Sequence, residues 1–153
     1  MKLNYIVIPL VTAAVLLGGS WLTAGGMDWY RTLKLPALAP PGSFIGLAWT
    51  IIFILSTVSA LIFWNRFQPG TRSTIAALFI ANALFNVCWS LIFFRLHLIG
   101  LSIIEMTALN LTTLTLITLL WKPALVPALL LIPYFGWVSF ATYLAYSIWT
   151  LNK

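Results

Sequence analysis

The chain has 153 residues, of which 62% are hydrophobic and 7% are charged, and its mean hydropathy is +1.05. Its eight cationic and two acidic side chains are too few to cover a water-facing surface, since soluble domains carry roughly 25% charged residues. The composition therefore excludes an ordinary soluble protein and predicts an integral, multi-pass membrane protein.

Five apolar runs follow one another along the chain, and each is long enough to cross a bilayer as an α-helix of about 20 residues. Breaks that contain charged residues, Gly or Pro separate them. Transmembrane β-strands would be only about 10 residues long and would alternate in polarity, which these runs do not. We therefore predict an all-α membrane protein, a five-transmembrane-helix bundle in which residues 1–153 form a single domain. The spans are expected at 5–24, 44–64, 74–94, 99–120 and 125–149.

The first run has a second interpretation, because Lys2 followed by an apolar core and small residues is also typical of a signal peptide. Its apolar stretch reaches Ala24, which is long for a signal core, and this favours a membrane span. The cations divide evenly between the two sides of a five-span arrangement, so the positive-inside rule predicts no orientation.

The first break, residues 25–43, contains the stretch LKLPALAPPG. Proline restricts the backbone and suits extended or first-turn positions, so Pro40 and Pro41 should stiffen the end of this loop. Gly42 is expected to let the chain turn into the second helix. The loop is either a simple helix-entry signal or a lid over the bundle, and it is called the lid loop below.

Several function classes are excluded by what the sequence lacks. The net charge of +6 is spread over the loops and both ends, so no basic stripe predicts nucleic-acid binding. The chain has no phosphate-binding or dinucleotide glycine motif and no cluster of metal ligands. Asp28 and Glu105 are the only acids, and His97 is the only histidine. The chain therefore has few residues that could act as general acids or bases in catalysis, and no metal site is predicted.

The third run has one polar face. At 100° per residue, this face brings together Asn82, Asn86, Trp89 and Phe93, with Ser90 on its flank. Polar residues in spans are costly in lipid and usually face the bundle interior, so we predict that this face points inward. The asparagines either bond neighbouring helices or contact a ligand. The opposite face, with Ala77 and Ala81, can pack closely against another helix across a dimer.

The last two runs supply further candidates. Glu105 lies inside the fourth run, where an intramembrane acid is either functional or stabilised near the start of the helix by its dipole. In the fifth run, Tyr134, Trp137 and Ala141 share a stripe that would form a wall for a flat apolar ligand. Pro133 on the same stripe should kink the helix.

Three segments together resemble the TspO/MBR family, the translocator proteins. MDWYRTLKLPALAPPGSFIGLAWT is similar to the family's W-Y-x-x-L-x-x-P-x-x-x-P-P-G…W segment. NALFNVCWSLIFF is similar to its N-x-x-x-N-x-x-W-S-x-x-F-F segment, and LLLIPYFGWVSFATYLAYSIWTLN is similar to its last motif. Ala145 stands where that last motif usually has asparagine, and the chain looks like a bacterial-type member.

The resemblance implies a five-helix membrane receptor, often a homodimer, whose cavity is covered by the lid loop. It implies porphyrin (protoporphyrin IX) as ligand, with sterols and benzodiazepine-type molecules as further ligand classes, and no required cofactor. Carried over onto this sequence, the ligand-binding residues would be Tyr30, Pro40, Ile45, Trp49, Asn86, Trp89, Ser90, Trp137 and Ala141.

The expected function is therefore a tetrapyrrole-binding sensor or regulator in the bacterial cell membrane. A light- and oxygen-dependent porphyrin-degrading enzyme is one alternative, and the resemblance would then make Trp49 and Trp137 the catalytic residues. A porphyrin or sterol transporter is the other alternative, although transporters often contain internal repeats and the sequence has none.

Overall fold

The computed structural model of the chain describes residues 3–66 and 69–153. These ranges contain no β-strand and form the α-helices α1 Asn4–Ala24, α2 Met27–Tyr30, α3 Gly42–Arg66, α4 Pro69–Ser90, α5 Ile99–Trp121 and α6 Leu125–Leu151. A π-helical segment, Leu91–Arg95, continues α4. The predicted all-α class is thereby confirmed.

Five helices in the described ranges are long and apolar enough to cross a membrane: α1, α3, α4 with its π-helical segment, α5 and α6. The five apolar runs of the sequence lie within them. The lid loop contains the short helix α2 and leads into α3 at Gly42.

The five long helices form a ring in which each one packs against two neighbours. The order around the ring is α1, α3, α6, α5 and α4, with α4 closing onto α1. Helix α5 turns a continuous stripe inward, from Ser102 through Leu109 to Leu120, as a period of 3.6 residues requires. In helix α1, by contrast, none of the residues is more than partly buried.

Polar side chains tie neighbouring helices together inside the bundle. Ser59 on α3 donates to the carbonyl oxygen of Pro127 on α6 at 2.9 Å. The amide nitrogen of Asn82 on α4 donates to the hydroxyl oxygens of Thr112 and Thr113 on α5, at 3.0 and 2.8 Å. Such bonds are the usual polar links between membrane helices, where apolar burial gives little driving force.

Two expectations about backbone conformation change. Gly42 is the first residue of α3, and none of the described glycines has a positive φ, so the turn into α3 does not use the conformational freedom of glycine. The carbonyl oxygen of Pro41 instead accepts from the backbone N–H groups of Phe44 and Ile45 and starts the helix. The second change is one of position in α6. Pro133 was expected on the same stripe as Tyr134 but lies on the exposed side of the helix, which continues through it. Its kink stays a prediction.

The π-helical segment changes the pitch of the third membrane span near its end. The backbone N–H of Leu96 donates to the carbonyl oxygen of Leu91 at 3.0 Å, the five-residue spacing that defines a π turn. Within this segment Phe93 and Phe94 both lie inside the bundle, at 2% and 7% exposure.

Candidate functional site: an aromatic cluster beneath the lid loop

The lid loop is docked onto the π-helical segment by aromatic side chains. The ring of Tyr30 lies 6.1 Å from that of Phe93 and 5.7 Å from that of Phe94, and Trp29 meets Phe93 edge-on at 5.6 Å. Burial raises the pKa of the Tyr30 hydroxyl, so this group stays protonated at neutral pH. The lid is thus a packed layer over this end of the bundle.

Glycine at position 26 is what allows the lid to dock so closely. A Cβ atom added there would collide with the backbone carbonyl of Phe94, and one added at Gly25 would meet the guanidinium of Arg95. Since a backbone carbonyl cannot move aside as a flexible side chain can, Gly26 is required by the close approach of the two segments.

A second anchor joins the lid to the end of α6. The backbone N–H of Lys34 donates to Oδ1 of Asn152 at 2.9 Å, and Nδ2 of Asn152 donates to the carbonyl oxygen of Lys34 at 3.0 Å. One amide side chain therefore satisfies both backbone groups of a lid residue. The sequence analysis did not find this pair, because a lone asparagine near a chain end carries no local signal of a partner 118 residues away.

Beneath the lid, tryptophans from three helices pack around Trp49 of α3. Its ring centroid lies 6.2 Å from Trp89 of α4 and 6.5 Å from Trp137 of α6. Tyr134 of α6 meets Trp49 at 6.2 Å, edge-to-face. These four rings are called the aromatic cluster, and their offset and edge-to-face contacts are the arrangements that aromatic pairs favour.

The cluster has few polar atoms, and several have no hydrogen-bond partner among the described residues. The amide nitrogen of Asn86 donates to the Tyr134 hydroxyl oxygen at 3.1 Å. The indole Nε1 atoms of Trp89 and Trp137 are buried without a partner, as are both carboxyl oxygens of Glu105. Buried polar groups are nearly always bonded, so this concentration identifies a candidate functional site.

The sequence-predicted residues fall into two groups. Four of them are packed together: Trp49, Trp89 and Trp137 belong to the cluster, and Asn86 bonds to its tyrosine. The others lie around it. Tyr30 is in the docked lid, Pro40 and Ile45 are half-buried where the lid loop enters α3, Ser90 is buried facing Gly19 of α1, and Ala141 is half-buried on α6.

The predicted inward face of α4 is confirmed by burial. Asn82, Asn86 and Ser90 are each 5% exposed, whereas Leu84 on the opposite face is 62% exposed. Two residues of this region are missing from the predicted site. Phe44 packs on Trp137 from outside the cluster at 6.1 Å. Tyr134 belongs to the cluster and bonds to Asn86, although the sequence placed it only on the inward stripe of the fifth run.

A separate cavity of about 570 Å³ lies on the other side of Tyr134, between α1, α3 and α4. None of the three cluster tryptophans lines it. The sequence analysis did not predict this cavity, because its walls are ordinary apolar residues whose spacing is also that of a packed core.

The chain is similar to a known protein family along almost its whole length. The model of the TspO/MBR family matches residues 5–150. A tryptophan-rich protein TspO of Bacillus cereus is 34% identical, with 99% of each chain covered, and one of Archaeoglobus fulgidus is 31% identical over 94% of this chain and 93% of its own. The human translocator protein is 23% identical over 88% of this chain and 81% of its own. The resemblance seen in the sequence is therefore confirmed, and the chain belongs to the TspO/MBR family.

Proposed function

We propose that the protein is a membrane sensor or regulator that binds a porphyrin between the lid loop and the aromatic cluster. The observation that carries this proposal is the convergence of Trp49, Trp89 and Trp137 from three helices beneath a docked loop. A flat, largely apolar macrocycle gains most from stacking against such rings.

The polar atoms of the site suit the edge of the same ligand. Small-molecule sites are mostly apolar with a few placed polar groups, and here those groups are the unpartnered indole N–H donors of Trp89 and Trp137. They can donate to the carboxylate oxygens at a porphyrin's edge.

Binding must displace part of the cluster or the lid. The Trp49 ring lies 6.2 to 6.5 Å from the other two indoles, so a macrocycle inserts only if these rings separate or the lid lifts. Ligand binding is therefore coupled to a rearrangement of the aromatic cluster or of the lid, and such a rearrangement is the property that a sensor needs in order to report its ligand.

The proposed setting is a homodimer in a bacterial cell membrane. The bacterial relative from Bacillus cereus has a higher identity, 34%, than the human one, 23%. On α4, Ala77 is exposed on the outer face of the bundle, and small residues there permit close helix–helix contact between two copies.

Titration of the purified protein with protoporphyrin IX in darkness tests the proposal. We expect saturable quenching of tryptophan fluorescence together with a shift of the porphyrin absorbance band. The double variant Trp49→Phe/Trp137→Phe should weaken affinity about fivefold, since a phenyl ring stacks over less area than an indole and Trp137→Phe also removes the indole N–H donor, together on the order of 1 kcal/mol.

The matched control is Trp21→Phe/Trp121→Phe, which removes two tryptophans that are 68% and 48% exposed. It should leave the affinity unchanged. If both double variants bind porphyrin like the unmodified protein, the proposed site is wrong. Parallel titrations with a sterol and a benzodiazepine-type ligand would show which ligand class the site prefers.

A second candidate function is porphyrin breakdown driven by light and oxygen. It is favoured by the nearly perpendicular contact of Trp49 with Trp137, at 86°, because two adjacent indoles beside a photoexcited porphyrin are oxidisable neighbours. Illumination with and without oxygen tests it. Breakdown that continues at the same rate under anaerobic conditions would contradict this chemistry.

A further inference from the structure

We propose that the cavity between α1, α3 and α4 is a second ligand site, a slot that takes a single acyl chain from the membrane. The lid loop joins the end of α1 to the start of α3. The cavity is lined instead by the first half of α1, the second half of α3 and residues 76–83 of α4. It therefore lies in the half of the bundle opposite the lid.

The shape of the cavity favours an acyl chain over a flat macrocyclic ligand. Its wall extends along α1 from Leu3 to Val15 and along α3 from Phe53 to Trp64. At a rise of 1.5 Å per residue, these stretches are about 18 and 16 Å long. The cavity is thus elongated parallel to the helices, as an acyl chain is in a bilayer, and its 570 Å³ lies within the roughly 300–1,000 Å³ of small-molecule sites.

Access to the slot comes from the bilayer, past α1. The C-terminal half of α1 is held against the third membrane span, where Trp21 lies 4.9 Å from the guanidinium of Arg95. In the N-terminal half, Thr57 of α3 donates to the hydroxyl oxygen of Thr12 at 2.8 Å. Apart from this bond between hydroxyl groups, no residue of α1 is more than partly buried, so its N-terminal half can move aside and admit a lipid chain sideways.

The polar atoms at the two ends of the slot indicate the direction in which a bound acyl chain lies. At the deep end, both amide hydrogens of Asn82 are already donated to threonines of α5. The opposite end of the slot, near the start of α1, is called the mouth. There, Nδ2 of Asn4 is buried without a partner among the described residues. Arg66, at the end of α3, lines a small adjoining pocket of about 230 Å³ with Tyr5. An oxygen-bearing head group therefore belongs at the mouth, with its apolar chain directed inward.

Photolabelling with a diazirine-bearing palmitic acid tests the slot in the full-length, purified protein. We expect saturable labelling of peptides from the first half of α1 and from 53–64, abolished by excess unlabelled palmitate. Ala76→Phe, which fills the slot from α4, should reduce this labelling about tenfold, because the added ring occupies the volume of the chain.

The matched control is Ala13→Phe on α1, which lies between the lining residues Thr12 and Val15 but is exposed and does not line the slot, and which should label normally. Ala83→Leu, on the same slot wall, serves as a second, milder filling variant if Ala76→Phe fails to fold. Asn4→Leu should weaken palmitate binding about fivefold, the value of roughly one hydrogen bond, while leaving an uncharged hydrocarbon photoprobe unaffected.

Competition identifies the source of the chain. Displacement by palmitate alone indicates a free fatty acid, and displacement by phosphatidylglycerol indicates a diacyl lipid; both support the slot. Labelling that does not saturate, or that is equal in Ala76→Phe and Ala13→Phe, overturns it. So does competitive displacement by protoporphyrin IX, because the cavity would then belong to the porphyrin site. Porphyrin quenching is a separate readout, so failure of one proposal is distinguishable from failure of the other.

Discussion

Replacing Asn152 with alanine is expected to loosen the lid loop without unfolding the bundle. The side chain holds both backbone groups of Lys34, through contacts of 2.9 and 3.0 Å. Each such bond contributes about 0.5–1.5 kcal/mol net, and both lie where water can compete. Their loss should cost about 1–2 kcal/mol, which changes the ratio of docked to open lid by a factor of about 5–30.

Hydrogen exchange followed by mass spectrometry measures this opening directly. The backbone amide of Lys34 loses its acceptor in Asn152→Ala, so the peptide that contains it should exchange about 5–30 times faster. Peptides from the interior of α5 should not change. Asn152→Asp is an intermediate control. It keeps an acceptor for the Lys34 N–H and loses only the donor to the Lys34 carbonyl, so its effect on exchange should be smaller. Unchanged exchange in Asn152→Ala would refute the assignment of this asparagine as an anchor of the lid.

Three further substitutions test other contacts. Gly26→Ala should undock the lid and lower the unfolding temperature, because the added Cβ collides with a backbone carbonyl. Its control is Gly18→Ala, which should be neutral or slightly stabilising because nothing lies within 4 Å of the added Cβ. Equal effects of the two variants would contradict the close approach of the lid at Gly26. Glu105→Gln should keep or raise thermal stability, since an unpartnered buried charge is costly; a loss of about 3 kcal/mol would instead reveal a buried ion pair. Ser59→Ala should lower stability by about 0.5–2 kcal/mol by removing its link to α6, and no measurable change would show that this bond adds nothing.

The fold was largely predictable because composition and periodicity are local properties. Runs of apolar residues near 20 long can satisfy their backbone groups in lipid only as helices, and the polar face of α4 followed from 100° steps between Asn82 and Asn86. The bond between Asn86 and Tyr134 is harder to predict. The sequence places each residue on an inward stripe of its own helix, but it does not fix how far one helix is shifted along its axis relative to the other.

The features that escaped prediction depend on how the helices are arranged. The Asn152–Lys34 pair joins residues far apart in the chain, and the slot depends on how loosely α1 lies against α3 and α4. No periodicity within one helix encodes such a gap. Gly42 was misinterpreted for a related reason, since glycine before a helix has several possible roles and only the backbone angles distinguish them.

The π-helical segment has a consequence for comparing this chain with its relatives. A π turn holds one residue more than the α-helix around it, so deleting a single residue within Leu91–Arg95 would restore α-helical geometry while leaving α4 and α5 in place. Chain length can therefore differ by one here among homologues. An alignment that forbids gaps inside helices would shift the residues on one side of this segment by one position. Such a shift would align Trp89 or Glu105 with positions in the relative whose side chains are rotated by about 100° around the helix axis.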